Sequence, residues 1–344
     1  MSGKRFAGFF PKTITWHSMG LVRKGVAALF VFYIVVVFVL GFYWSAEPEP
    51  FDVRQNAQEK LPDSEQVVGS TTAAVLIRVA ETMLDKPGGF LSNDIAPPGL
   101  YLDNIPNWEY GVLIQVRDLA LAFRQNFSRS QSQSTEDPDL LIVEPRFSVT
   151  NDSWILPASE TEYRRAINSM TSYLSRIADP QNQDAQFYAR ADNLSRWLAN
   201  VESRLGSLSQ RLSASVGQSQ VNIDTAGDRN ATQSTSAPSQ RLVKTPYTQV
   251  DDVFYEARGA TWALMHFLQA IEVDFEAVLR DKNALVSVRQ IIRELEASQR
   301  TVFSPFILNG GGFGFFANHS LVMANYVSRA NAAIIDLREL LNQG

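Results

Sequence analysis

The chain contains no cysteine and only three histidines in 344 residues. The first absence excludes a disulfide framework, a thiolate zinc or iron–sulfur site and a thiol nucleophile. The second leaves no set of three or four imidazole ligands at helical spacing. His17 precedes a long apolar run, His266 lies in an aromatic-rich helical stretch, and His319 opens the last helix. No G-x-S-x-G elbow occurs, so a serine hydrolase lacks its nucleophile turn. Acidic groups such as Asp251 and Asp252, or Glu272, Asp274 and Glu276, project in different directions from a helix. They are expected on solvated faces, not facing each other across a glycosidase cleft. At 45% apolar the chain has enough material for a core. Its composition names no reaction and implies no cofactor.

Charge is missing from one place. The run that begins at Val26 and ends at Trp44 reads VAALFVFYIVVVFVLGFYW, nineteen residues without a charge. At about 1.5 Å per residue it reaches roughly 28 Å, the thickness of a hydrocarbon core. Tyr43 and Trp44 suit an interfacial belt at one end, and Arg23 and Lys24 are basic anchors at the other. Lys4, Arg5 and Lys12 add to the basic flank, which has no acid, whereas Glu47, Glu49 and Asp52 follow the run. The positive-inside rule predicts a cytoplasmic tail over residues 1–25, one span over 26–44, and an exported remainder. A cleaved signal peptide is the competing reading. Its apolar region is about 7–15 residues and ends at small residues, whereas bulky Trp44 precedes any cut after Ala46.

All 36 acidic residues follow the run, against 26 basic ones, so the remainder is net −10. That argues against nucleic acid as a partner and against anionic headgroups. A large exported region without cysteine fits the bacterial periplasm, and so a single-pass inner-membrane protein.

Strand patterning is almost absent too. Only Leu140 to Val143 reads as a strand. Elsewhere apolar residues recur at spacings of three and four. Ser159 and Glu162 form an S-x-x-E capping box before Tyr163, Ile167, Met170, Leu174 and Ile177, and Asp179-Pro180 ends that helix. A second helix, over residues 184–216, carries Phe187, Leu194, Leu198, Val201, Leu205, Leu208 and Leu212. The two predict a coiled-coil hairpin over 159–216. A third long helix runs from Val250 through Phe254, Leu264 and Ile271 to Val278, and shorter ones cover 67–84, 108–127, 283–300 and 316–341. The expected fold is all-α: one N-terminal transmembrane helix followed by an elongated periplasmic helical bundle.

Residues 45–66 read as a Pro- and charge-rich stalk. Residues 67–216 form the first helical region, 217–246 a Ser/Gln-rich disordered linker, and 247–344 the C-terminal helices.

Two segments rich in glycine and aromatics stand out. Gly312-x-Gly314-x-x-Ala317 has the outline of a dinucleotide-binding turn, but no sheet is present to carry it. A helix-entry loop with positive-φ glycines is expected instead, with Phe313, Phe315 and Phe316 buried. Residues 301–328 carry no formal charge, yet Pro305, the glycines and His319 exclude a second span. Residues 87–110 are Pro/Gly-rich but aromatic. Either the aromatics pin this segment across the bundle as a cap, or they form a binding surface. The candidate interaction residues are Phe90, Tyr101, Trp108, Tyr110, Phe313 and Phe315.

With the apolar run, the segments PGGFLSND, PPGLYLDNIPNWEYGVLIQVRDLA and GFGFFANHSLVMANYVSRANAAIIDLREL give the chain a resemblance. It resembles a family of proteobacterial inner-membrane proteins known only as a domain of unknown function, over most of its length. The resemblance implies a Gram-negative envelope protein and carries over no site residue. The leading expectation is a non-enzymatic interaction or scaffold protein. Its partners would be other envelope proteins, an envelope polymer or a second copy, with the bilayer held through residues 26–44. One alternative is an enzyme acting on peptidoglycan or another envelope glycan, with two carboxylates, or a carboxylate and a serine, near Trp108 or Trp154. Another is an accessory adaptor of an envelope transport system, although adaptors usually add β-rich domains. A receptor is disfavoured by a cytoplasmic tail of only 25 residues.

Overall fold

A computed structural model describes residues 16–62, 67–129, 135–179, 181, 184–221, 240–304, 306–311 and 314–343. Among the described residues the chain forms α-helices joined by loops and one short antiparallel ribbon. The first helix, α1 (Trp16–Trp44), contains a 22-residue stretch with mean hydropathy 2.8. That stretch is long and apolar enough to cross a membrane. Beyond Arg23 and Lys24 it is apolar all round, so no face of it is specified for a protein core. Most of the predicted basic tail, residues 1–15, lies outside the described residues.

The other helices are α2 (Val53–Lys60), α3 (Ser70–Asp85), α4 (Asn104–Ala122), α5 (Leu140–Phe147), α6 (Ser159–Ile177), α7 (Ala191–Ser213), α8 (Val250–Asp274), α9 (Glu276–Asp281), α10 (Leu285–Ser298) and α11 (His319–Asn342). α8 is the hub, packing on α3, α4, α10 and α11. Its closest crossing is with α4, where two glycines remove the side chains that would hold the helices apart. A Cβ on Gly111 would stand 2.0 Å from Glu256 O, and one on Gly259 would stand 1.9 Å from Trp108 O. Mid-helix glycine ordinarily costs about 1 kcal/mol relative to alanine, so backbone contact is what it supplies here.

The expected coiled-coil hairpin does not form. Both helices exist, but α6 packs on α3 and α5, whereas α7 packs on α11. The link between them explains the parting. Phe187 inserts among Phe123, Phe127 and Phe275, with ring centroids 5.6, 5.2 and 5.7 Å away. Tyr188 N donates to Phe127 O at 2.7 Å, and the Tyr173 hydroxyl to Gln186 O at 2.7 Å. α7 and α11 run antiparallel, with Ser195 Oγ bonded to Asn342 Oδ1 at 3.0 Å and Arg338 paired with Glu202. A four-and-three seam specifies an apolar stripe but not its partner.

Three further expectations are corrected. The strand expected at Leu140 to Val143 is the start of α5. Leu140, Val143 and Phe147 share its buried face, and Asp137 Oδ1 accepts from Asp139 N at 2.9 Å before it. The Ser159 capping box is not made. Its hydroxyl donates to Thr150 O at 2.7 Å, and Glu162 is taken by Arg146 and Arg165. The stalk contains α2, which buries Val53, Asn56 and Ala57 against its neighbours and is capped by Asp52. In the predicted linker, β1 (Gln218–Val221) pairs antiparallel with β2 (Gln240–Val243), and residues 222–239 lie outside the described residues.

The crossing makes a graded prediction. Gly259→Val should destabilise the full chain by more than about 3 kcal/mol, since backbone must move to admit the side chain. Gly206→Ala, whose Cβ would meet only Asn331 Nδ2 at 3.7 Å, should be neutral or stabilising by up to about 1 kcal/mol. Thermal unfolding in detergent compares the two, and equal losses would remove the close crossing as the cause.

Candidate functional site

The chain leaving α1 is gripped by one stripe of α8. Residues 254, 258, 262 and 266 are spaced four apart, so Phe254, Arg258, Trp262 and His266 share one face. Arg258 Nε donates to Glu47 Oε1 at 2.9 Å and Nη2 to Glu47 Oε2 at 2.5 Å. Its Nη1 also donates to Ser298 O at 3.2 Å, at the end of α10, and to Arg300 O at 2.9 Å, just beyond it. Two turns along, Phe51 stacks on His266 with centroids 4.1 Å apart and packs edge-on against Trp262. Eight residues of helix rise about 12 Å. Four extended residues reach about 13 Å, so the Glu47–Phe51 strap matches the stripe in length. Pro48 and Pro50 favour that extended path.

His266 is neutral in this arrangement. Its Nδ1 donates to Trp262 O at 2.8 Å, leaving Nε2 to accept from Phe51 N at 3.1 Å. Burial away from water lowers its pKa to about 4, since a charged imidazolium would lose solvation and turn an acceptor into a donor.

The segment after α3 is held by a second buried group. Gly88 and Gly89, with φ of 89° and 75°, turn the chain back over Lys86. Lys86 Nζ donates to Glu109, to Gly89 O at 2.5 Å and to Met83 O at 3.1 Å. Glu109 also accepts from Leu91 N and Ser92 N, each at 2.8 Å, and from Ser92 Oγ at 2.5 Å. Burial raises the Glu109 pKa and lowers that of Lys86, while the mutual ion pair opposes both shifts. An ionised carboxylate offers about four acceptor positions, and all four are used here.

The predicted interaction residues divide. Phe90 and Trp108 are buried, which removes them from any surface. Trp108 meets Trp262 with centroids 5.2 Å apart, and Phe90 meets Tyr163 at 5.6 Å. Tyr110 is half-buried, while Tyr101 is 73% exposed at the outer tip of the same segment, beside exposed Leu100 and Ile95. The segment is thus a cap at its base and a surface at its tip. Phe313, with Gly312, lies outside the described residues.

The expectation that Phe315 and Phe316 are buried is overturned. They are fully and largely exposed, as are Phe303 and Phe306. The loop is nevertheless built. Gly310 N donates to Ala317 O and His319 N to Leu308 O, while Asn318 Nδ2 donates to Asn309 Oδ1 at 2.8 Å. Asn318 Oδ1 then caps α11 through Leu321 N. Gly310 is required by closeness, not by positive φ, because a Cβ there would stand 2.0 Å from Phe316 O. These bonds consume the base of the loop and turn its aromatic tip outward. At its foot, Phe254, Arg258, Phe303, His319, Met323 and Tyr326 line an apolar groove of about 270 Å³.

Among the described residues no three His, Asp or Glu side chains converge as metal ligands. The expected solvated carboxylates also part company. Asp274 is buried, accepting from Thr72 N and Thr72 Oγ1 at 2.7 and 2.6 Å, while Glu272 pairs with Arg289 and Glu276 with Arg280.

Residues 16–344 match the family model of uncharacterised proteins conserved in bacteria, DUF2333. The chain belongs to that family. The resemblance read from the sequence is therefore borne out as a bacterial family of unknown function. No curated protein and no solved structure matches the chain.

Sequence reasoning missed the strap and the Lys86–Glu109 lock. One signal for the first was available. Arg258 is the lone formal charge between Glu256 and Glu272, in a helix otherwise built for burial.

The neutral histidine sets a pH dependence. An unfolded His266 titrates near 6.5 and the folded one near 4, so the unfolded state binds the extra proton between those values. Its contribution to stability is complete above about pH 6.5 and is lost as pH falls toward about 4. His266→Gln, which keeps an acceptor near the Nε2 position, should flatten the fall in unfolding free energy over that window by up to one proton. An unchanged slope would show that His266 is already charged in the folded protein.

Proposed function

We propose that this protein is a non-enzymatic interaction protein of the bacterial envelope. In this reading residues 26–44 of α1 span the inner membrane, residues 1–25 are cytoplasmic, and the helical domain stands in the periplasm. The observation that carries the reading is the strap. A domain on a flexible stalk samples all orientations, whereas Glu47 and Phe51 clamp this one to the end of α1. Fixed orientation suits a domain that presents a surface to a partner, either another envelope protein or an envelope polymer. The exposed phenylalanines around the Phe254–Tyr326 groove offer apolar contacts for that purpose.

Other features support parts of the reading. The basic flank before residues 26–44 and the acids after them favour an inward N-terminus. Trp44 packs on Gly88, so the end of α1 belongs to the fold more intimately than a removable leader would. The saturated carboxylate of Glu109 disfavours the glycan-hydrolase alternative near Trp108, since a general base needs a free lone pair.

Two measurements test it. A phosphatase fused after Gly344 should be active, and inactivity there with an active cytoplasmic reporter would reverse the topology. A photo-crosslinking residue at Phe303 should give discrete adducts in cells, and Arg258→Met, which unlocks the strap, should weaken them several-fold. Adducts unchanged by that substitution would refute fixed orientation as the working principle.

A further inference from the structure

The loop over residues 95–102 reads IAPPGLYL, eight residues without a charge, between Asp94 and Asp103. It is placed directly beside α1. A Cβ on Gly41 would touch Pro98 Cβ at 3.6 Å and Leu102 Cδ2 at 3.9 Å. Gly41 precedes Tyr43 and Trp44, so it lies on the span side of the aromatic belt. The loop therefore reaches past that belt, alongside the apolar helix. Leu100 and Tyr101 are 54% and 73% exposed there. An apolar groove of about 670 Å³ separates the loop from α1, with Phe30, Tyr33, Phe38, Pro97, Tyr101 and Leu102 among its walls.

Part of the loop's backbone needs no hydrogen bond from solvent. Pro97 and Pro98 have no N–H. Leu100 N donates to Ala96 O at 3.1 Å, Tyr101 N to Pro98 O at 2.9 Å, and Leu102 N to Gly99 O at 3.0 Å. Non-helical backbone at membrane depth survives only when its polar groups are satisfied internally or by protein. Exposed Ile95, Ala96, Leu100 and Tyr101 together on one loop would be a liability in water.

We infer that residues 95–102 form a second membrane element, a wedge that enters the bilayer interface beside α1 and seats a phospholipid acyl chain in the groove between them. The inference rests on α1 being a span. A neighbouring loop agrees with it. Asn93 Nδ2 donates to Ser153 O at 2.8 Å, which brings exposed Trp154 and Leu156 to the same end of the bundle. The bilayer thus has several apolar tips to meet on the side from which α1 emerges. Tyr101 adds an amphipathic ring of the kind enriched at interfaces.

The absence of cysteine makes the test free of background labelling. Full-length Tyr101→Cys, Leu100→Cys, Phe38→Cys and Val286→Cys carry one bimane each and are reconstituted into phosphatidylcholine vesicles. Lipids with a doxyl quencher high or low on the acyl chain report depth. Phe38 tests the span and Val286, at the far end of α10, is the aqueous control. The labels at 100 and 101 should lose about half their fluorescence to the shallow quencher, Phe38 should respond more to the deep one, and Val286 to neither. Quenching at Phe38 without quenching at 100 and 101 overturns the wedge and leaves the span standing; the loop then belongs to a protein partner or a second copy. No quenching at Phe38 overturns the span, and the wedge with it.

Discussion

The close crossing of α4 and α8 is the constraint on which the other arrangements depend. Gly111 and Gly259 bring two helix backbones together, with Trp108 O against Gly259 and Glu256 O against Gly111. That contact fixes the height and rotation of α8. Once the rotation is fixed, the stripe of Phe254, Arg258, Trp262 and His266 can face only one way. It faces the strap, the turn after α10 and the groove beside α11. A side chain at either glycine would move the stripe as a unit, because residues four apart on a helix cannot be displaced separately.

The buried charges are best understood as positional devices. Burying an ion pair gives little net stability, because desolvation offsets most of the attraction, but leaving one partner alone is costly. Lys86 and Glu109 fit that description. Each also binds backbone of the turn at residues 89–92, so the pair fixes a conformation more than it contributes energy. Asp274 does the same between α8 and the first turn of α3. All three groups spend their hydrogen-bonding capacity on the fold.

Much of the fold was legible in the sequence and much of the site was not, for one physical reason. Helix periodicity is local. The seams through Leu198, Val201 and Leu205, and through Phe254 and Ile271, mark buried stripes whatever they pack against. Pairing is not local, and Phe187, a single aromatic in a link, redirected α7 away from α6. Aromaticity misled in both directions. Phe90 and Trp108 looked like surface candidates because their segment is rich in Pro and Gly, yet the Lys86–Glu109 lock folds that base inward. Phe315 and Phe316 looked like core, yet the Asn309–Asn318 bridge closes beneath them and leaves them outside. In both loops the deciding side chains bond backbone atoms, Glu109 at Leu91 N and Ser92 N and Asn318 at Gly310 O, and apolar periodicity says nothing about such bonds.

With α1 taken as a span, the strap and the wedge have complementary geometric effects. A single helix fixes a domain's position in the membrane plane, but rotation about the helix axis and tilt stay soft. The strap removes tilt, since Glu47 and Phe51 hold α8 at two points about 12 Å apart along its axis. Rotation is opposed by whatever contacts the bilayer off that axis, and the loop at residues 95–102 lies off it. Burial of exposed side chains such as Leu100 and Tyr101 is worth about 1.5–3 kcal/mol each when complete, large against thermal energy even if only partly realised. The bonds from Leu100 N, Tyr101 N and Leu102 N lower the cost of taking that part of the backbone out of water. A rigid mount also makes the wedge effective. On a flexible stalk the loop could enter the interface without orienting anything, whereas here its depth and the direction of the groove near Phe303 are set by the same helix.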